Sequence, residues 1–166
     1  MPRRKLPYQE GDWFAVPLQD GDWALGLAAR VPNRSHGVFG YFFGPRHEHI
    51  PTEQATWGLT PADAIFAGIF SDLRLLNGKW PLVFRPQQWN REEWPLPAFG
   101  RIEADRGRGV RTEYDEKDLG TVVRAEYVSI QEAQRLPKDA DHGYVSVQIL
   151  LTRLLPRDAP KLRLVE

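Results

Sequence analysis

Proline restricts this chain more than any other residue type. Its 166 residues include 14 prolines, which recur from Pro2 to Pro160. Proline breaks the interior of a helix, and within sheets it is confined to edge strands and strand ends because it has no backbone N–H to donate. We therefore expect short strands and loops rather than long helices.

The overall composition narrows the possible functions. The length suits one domain of ordinary size. The 22 basic and 22 acidic side chains give no net charge, which argues against nonspecific binding to nucleic acid or other polyanions. The chain has no cysteine, so disulfides, thiolate metal sites and cysteine nucleophiles are excluded, and a reducing compartment is consistent with this.

The two ends and the apolar segments carry no targeting signal. The basic cluster within residues 1–10 is not followed by the apolar core of a signal peptide. The longest apolar stretch, 64–70, is too short to span a bilayer. We expect a soluble cytoplasmic protein without a membrane partner, with a flexible segment over residues 1–10, a single domain over 11–156 and a tail over 157–166.

The N-terminal third predicts an antiparallel meander. Residues 13–18 and 23–31 are β-prone and flank an Asp20-Gly21 turn, and the aromatic stretch 38–43 follows a second short turn. Sequential strands joined by short turns usually pair with one another. Pro17 predicts that the first strand either is an edge strand or ends there.

Segment 64–76 allows two interpretations. Ile65, Phe66, Ile69 and Phe70 recur at helical spacing, yet 64–70 is also a continuous apolar run typical of a buried strand. Periodicity alone does not decide between helix and strand.

The C-terminal half predicts three more strands and two helices. Residues 99–103, 110–114 and 121–128 are β-prone. Ser129 with Glu132 forms a capping-box pattern that begins a short helix. Val147, Leu150, Leu151, Leu154 and Leu155 form one face of an amphipathic helix. The fold class is thus α+β and β-rich: a twisted, mostly antiparallel sheet, open or barrel-like, with a few short helices, one of them near the C-terminus.

The histidines and carboxylates do not form a recognisable catalytic motif. His47 and His49 could form a metal pair, but a zinc site needs three or four ligands and no spacing motif supplies the others. We therefore predict no metal and no cofactor. A hydrolase that combines a carboxylate with one of the histidines stays open as an alternative; these are His36, His47, His49 and His142.

Two of the tryptophans allow two interpretations. Trp89 and Trp94 lie in a proline-rich, charged loop, where a tryptophan either pins the loop to the core or forms a binding hot spot. Pinning is the commoner case. A second alternative is a module for a small ligand or nucleic acid that uses strand 39–43 as a stacking platform.

Short motifs spread over nearly the whole chain occur in a recognisable order. With them, the chain resembles the immunity protein 26 family of bacterial polymorphic-toxin and contact-dependent competition systems. The motifs are Gly11-Asp12-Trp13-Phe14, Gly40-Tyr41-Phe42-Phe43-Gly44-Pro45, Pro51-Thr52, Leu59-x-Pro61-x-Asp63-Ala64, Gly68-x-Phe70-x-Asp72-Leu73, Gly78-x-Trp80-Pro81, Trp89-x-Arg91, Trp94-Pro95-x-Pro97-x-Phe99, Gly143-Tyr144-Val145-x-Val147 and Leu151-Thr152-x-Leu154-Leu155.

The resemblance implies an antitoxin that binds one cognate toxin domain and blocks it stoichiometrically. Neither catalysis nor binding of nucleic acid is implied, and the oligomeric state is left open. The resemblance also favours a strand for 64–70. A stoichiometric inhibitor needs a few aromatic and charged anchors, and the exposed-looking loops supply seven candidates for toxin binding: Arg46, His47, His49, Trp89, Arg91, Trp94 and Arg108.

Overall fold

The computed structural model describes residues 5–32 and 37–157. Strands predominate within these ranges, as the prolines and turn signals predict. The strands are β1 (Trp13–Pro17), β2 (Trp23–Arg30), β3 (Gly37–His47), β4 (Phe66–Ser71), β5 (Leu82–Phe84), β6 (Phe99–Glu103), β7 (Arg108–Asp115), β8 (Asp118–Val128) and β9 (Asp141–His142). The α-helices are α1 (Leu73–Leu76), α2 (Ile130–Gln134) and α3 (Tyr144–Leu154).

The larger sheet contains the predicted meander. Its strand order is β5-β1-β2-β3-β4-β9, with antiparallel pairing throughout except between β4 and β9. β1 lies between β2 and β5, so Pro17 marks the end of that strand and not an edge strand. The predicted α+β, mostly antiparallel fold is confirmed. Across the described ranges both sheets stay open, and neither closes into a barrel.

Both faces of the larger sheet are buried. Along β3, Phe42 points to one face and packs with Phe14 and Phe70, while Phe39 and Phe43 point to the other. Helix α3 covers the first face through Val147 and Leu151, since both side chains are fully buried in that cluster. The second face is covered by the loop that carries Trp94 and by the start of β6.

The smaller sheet, in the order β6-β7-β8, joins the larger one at its β6 end. Phe99 at the start of β6 packs edge-on against Phe39, with ring centroids 5.8 Å apart. Helix α2 packs against β6 and β7, and the side chain of Ser129 caps it by accepting from the N–H of Glu132 at 3.0 Å. β8 pairs only with β7 among the described strands, and it leaves Val123 64% exposed.

Segment 64–76 contains both of the predicted alternatives in succession. Residues 66–71 form β4, as the family resemblance suggested, and residues 73–76 form the single turn α1. A 3₁₀ turn over Pro61–Asp63 precedes the strand, and the carboxylate of Asp63 accepts from the N–H of Thr60 at 2.8 Å. The chain enters β4 directly from this turn, so the turn does not extend into a helix.

The predicted helices near the C-terminus are confirmed as α2 and α3. Helix α3 ends at Leu154, shortly before Pro156, because proline does not continue a helix.

Parts of the two predicted terminal segments lie outside the described residues, namely 1–4 and 158–166. Within the described parts, Tyr8 is 4% exposed and its hydroxyl bonds to Asp72 at 2.5 Å. Arg157 pairs with Asp22 at 3.3 Å.

Candidate functional site

One cleft of the described structure has a volume of about 910 Å³. It lies between β4, helix α3 and the loop that follows α2. Its apolar lining comes mainly from Ile65 and Phe66 at the start of β4 and from Ile149 and Leu150 of α3, while Tyr41 of β3 lies deeper. A cleft of this size is comparable to those that bind ligands or partner side chains.

One face of α3 forms a wall of this cleft. The lining residues Ser146, Ile149, Leu150 and Arg153 follow the i, i+3, i+4, i+7 spacing that places side chains on one face of a helix. Val147 and Leu151, one position further along, are fully buried against the sheet. The helix therefore uses one face to hold the fold together and presents the adjacent face to the cleft.

The charged residues that line the cleft all carry positive charge. Arg135 and Lys138 come from the loop after α2, and Arg153 comes from the last turn of α3. All three side chains are exposed. No aspartate or glutamate lines the cleft, so an apolar floor is bordered by cations alone.

His142 is another lining residue of the cleft. It lies on β9, which pairs with β4, and its ring packs edge-on against Phe66 with centroids 5.1 Å apart. Burial lowers the pKa of His142, the nearby Lys138 lowers it further, and Asp141 acts in the opposite direction. His142 is therefore neutral at neutral pH and contributes an aromatic surface to the cleft. Its Nε2 is buried and makes no hydrogen bond with the described residues.

Tyr41 is a nearly buried residue in the lining of the cleft. Its hydroxyl donates to the carbonyl of Pro95 at 2.5 Å, and burial raises its pKa to about 12. The phenol is therefore neutral at physiological pH, and its hydrogen bond ties β3 to the proline-rich loop.

Most of the seven residues predicted to bind a toxin are held by internal contacts. Arg46 has a side chain only 13% exposed, and it pairs with Asp20 at 2.7 Å and Asp22 at 2.8 Å. His47 is half-buried, and burial lowers its pKa. His49 is exposed.

The loop that carries Trp89 and Trp94, here called the tryptophan loop, packs against the body of the protein. This agrees with the prediction that these tryptophans pin the loop to the core. Trp94 is 7% exposed and packs edge-on against Trp13 at 5.6 Å. Trp89 donates from its indole N–H to Glu10 at 2.8 Å, and Arg91 donates to the same carboxylate at 3.1 Å.

Arg108 lies apart from the other candidates, on the smaller sheet. It donates to Glu103 at 2.8 Å, and its guanidinium stacks 3.6 Å from the centroid of the Tyr127 ring. The seven residues do not line the cleft and do not form one cluster.

The described histidines of the hydrolase alternative do not all come together in the fold. In residues 5–32 and 37–157, no group of three or more histidine, cysteine, aspartate and glutamate side chains is placed to hold a metal ion. His142 lies at the cleft, whereas His47 and His49 are at and just beyond the end of β3. His36 lies outside the described residues.

The aromatic strand does not form the stacking platform that the nucleic-acid alternative requires. β3 is an inner strand, flanked by β2 and β4. Phe39, Phe42 and Phe43 are fully buried and Tyr41 is 5% exposed. A base cannot stack on rings that the protein itself covers, so these aromatics serve the core.

The fold and the cleft define a small α+β protein with an open cleft beside its larger sheet and no cluster of metal-ligating side chains in its described residues. The chain belongs to the immunity protein 26 family, whose model matches residues 9–109. No curated protein and no solved structure gave a significant match. None of the described helices is both long and apolar enough to cross a membrane.

The family match and the cleft overlap only in part. The matched residues 9–109 include Tyr41, Ile65 and Phe66 of the apolar lining. The cationic residues of the cleft lie beyond the matched residues, because they belong to the chain after position 109.

Sequence reasoning did not identify the cleft. The sequence predicted the helix that carries Arg153, but its apolar pattern did not mark Arg153 as a cleft residue. Arg135 and Lys138 carried no signal, because their approach to α3 depends on how β9 pairs with β4.

Proposed function

We propose that this protein is an immunity protein that binds a cognate toxin domain and neutralises it by stoichiometric protein–protein inhibition. The match of the immunity protein 26 family to residues 9–109 carries this proposal. The protein performs no catalysis in this role and needs no cofactor. It acts in the cytoplasm as a single domain over residues 11–156, where the toxin would otherwise reach its target.

The internal organisation supports a role as a rigid inhibitor. Arg30 is 2% exposed and donates to the carbonyls of Ala29 and Trp94 at 2.6 and 2.9 Å and to the carboxylate of Glu116 at 3.1 Å. These contacts hold the tryptophan loop in one position in the free protein. A surface that is already ordered loses less conformational entropy on binding, which favours tight complexes.

Two of the seven predicted toxin-binding residues offer the most accessible surface. His49 is exposed, and the side chain of Arg91 is 40% exposed despite its contact with Glu10. We retain these two as candidate contacts outside the cleft. Rim contacts of this kind usually contribute little affinity by themselves.

The direct test is neutralisation of the toxin domain encoded beside this gene. Cells that express the toxin domain should stop growing, and co-expression of this protein should restore growth. The purified proteins should form a 1:1 complex in size-exclusion chromatography. A toxin domain of unrelated sequence serves as the control and should neither bind nor be neutralised.

Failure of this protein to bind the neighbouring toxin domain or to restore growth, with both proteins folded, would contradict the proposal. Destruction of the toxin at substoichiometric amounts of this protein would also contradict it, since that result requires turnover.

A further inference from the structure

The cations that line the cleft lack anionic partners among the described residues. Elsewhere on the molecule, arginines such as Arg46, Arg85 and Arg108 pair with carboxylates at 2.7 to 2.8 Å. The cleft cations Arg135, Lys138 and Arg153 form no ion pair with any described residue. The lining residues carry three positive charges and no negative one, and Asp141 beside His142 adds one negative charge nearby.

The positive charges come from two different elements that line the cleft, and apolar side chains line it as well. Arg135 and Lys138 stand on the loop after α2, and Arg153 stands on α3. Arg153 lies seven residues from Ser146, so about 10 Å of helix separates them. The half-buried side chains of Phe66 and Ile149 lie in the apolar floor of the same cleft. An occupant must therefore present apolar groups to the floor and negative charge to the rim.

We infer that this cleft receives an acidic segment of the toxin, with apolar side chains on the floor and carboxylates paired to Arg135, Lys138 and Arg153. This inference rests on the proposed function and names the surface and the chemistry that carry it. Complementary charge at an interface steers association and selects partners. Arginine suits the contact because its guanidinium binds a carboxylate in a bidentate manner.

A polypeptide fits this surface better than a nucleic acid does. The cleft offers three cations, whereas nucleic-acid binding draws on a broad excess of positive charge, and the chain has none. The aromatic rings of β3 are buried and cannot stack with bases. The apolar floor, in contrast, suits the aliphatic and aromatic side chains of a protein.

The first experiment reverses the charge of the cleft and compares it with an equal reversal elsewhere. The cleft variant carries Arg135→Glu, Lys138→Glu and Arg153→Glu. The control variant carries Lys79→Glu, Arg106→Glu and Lys117→Glu, three exposed cations away from the cleft lining. Both variants change the net charge by the same amount, so a difference between them reports position. Thermal unfolding of each variant confirms that it folds.

Binding to the toxin domain encoded beside the gene is measured by calorimetry at low and high salt. We expect the cleft variant to raise the Kd about a hundredfold and to reduce the salt dependence, and the control variant to stay within about threefold of the wild type. Equal weakening by both variants, or none by the cleft variant, would overturn the inference.

A second experiment tests the cleft without changing its charge. Ser146→Trp fills the cleft from the exposed wall of α3, and Val145→Trp places the same side chain on the neighbouring exposed position, which does not line it. We expect only Ser146→Trp to weaken toxin binding, by tenfold or more. Unchanged binding by both tryptophan variants would contradict occupation of the cleft.

The outcomes separate this inference from the proposed function. If the wild type fails to bind the toxin domain, the proposed function fails. If the wild type binds and neutralises it while the cleft variants do so equally well, only the cleft assignment fails. Binding of single-stranded RNA that the cleft variant alone loses, with toxin binding unchanged, would also overturn the assignment.

Discussion

At Gly100, strand β6 comes into close contact with helix α2 and with the loop that follows α2. Its N–H donates to the carbonyl of Pro137 at 2.9 Å, and its own carbonyl accepts from Asp139 at 2.9 Å. A Cβ at this position would lie 2.2 Å from the carbonyl oxygen of Ala133 in α2. Glycine is required here by close approach, since a methyl group would push α2 away from β6.

Gly100→Ala should therefore lower the free energy of unfolding by about 1–3 kcal/mol, the usual cost of overpacking. Chemical denaturation of the purified protein measures it. Gly143→Ala is the matched control, because a Cβ there meets no atom within 4 Å, and its effect should stay below about 1 kcal/mol. Equal stability of the Gly100→Ala variant and the wild type would show that α2 can move without cost.

Helix α2 packs against β6 and β7 of the smaller sheet. It also leads into the loop that carries Arg135 and Lys138, two cations of the cleft. It has only five residues, and short helices are marginal unless their ends are capped. Ser129 supplies the cap through its hydrogen bond from Glu132. Thr52 occupies the equivalent position before a 3₁₀ turn, yet its side chain accepts no capping hydrogen bond.

These two caps give a matched pair of substitutions. Ser129→Ala should lower the free energy of unfolding by about 1 kcal/mol through loss of the cap, and Thr52→Ala should change it by a few tenths at most. Denaturant titration distinguishes the two. A loss from Thr52→Ala as large as that from Ser129→Ala would mean that the Ser129 hydrogen bond is not the source of the effect.

Two half-buried histidines, His47 at the end of β3 and His142 at the cleft, make the stability of the whole molecule depend on pH. Burial lowers the pKa of both His47 and His142 below the ordinary value of 6.5. The unfolded chain therefore takes up protons at a higher pH than the folded one. The stability from these two groups is complete above pH 6.5 and is lost as the pH falls through their lower folded-state values.

The free energy of unfolding should accordingly decrease between pH 7.5 and pH 5.5. His142→Phe keeps an aromatic ring against Phe66 and should make this decrease smaller. His49→Gln replaces an exposed histidine and is the control for removing one histidine side chain. The measurement is denaturant unfolding at both pH values; a variant His142→Phe with the full wild-type decrease would rule out a contribution from His142.

Local signals in the sequence determined the turns, most strands and the capped helices. Asp20-Gly21 forms the turn of the first hairpin and Pro17 ends its first strand, while the pattern from Ser129 to Glu132 begins α2. Turn and cap preferences act over a few residues, so the sequence shows them directly. The sequence also predicted that the tryptophan loop packs against the core, since large apolar side chains are usually buried. These features needed no knowledge of distant contacts.

Tertiary structure decided what depends on residues far apart in the chain. Segment 66–71 became a strand because β3 pairs with it on one side and β9 on the other, which no local pattern could specify. The cleft followed from the same pairing: it brings the loop with Arg135 and Lys138 to the face of α3 that is not needed for the core. Periodicity shows that a helix has an apolar face, but only packing decides which neighbouring face remains open to a partner.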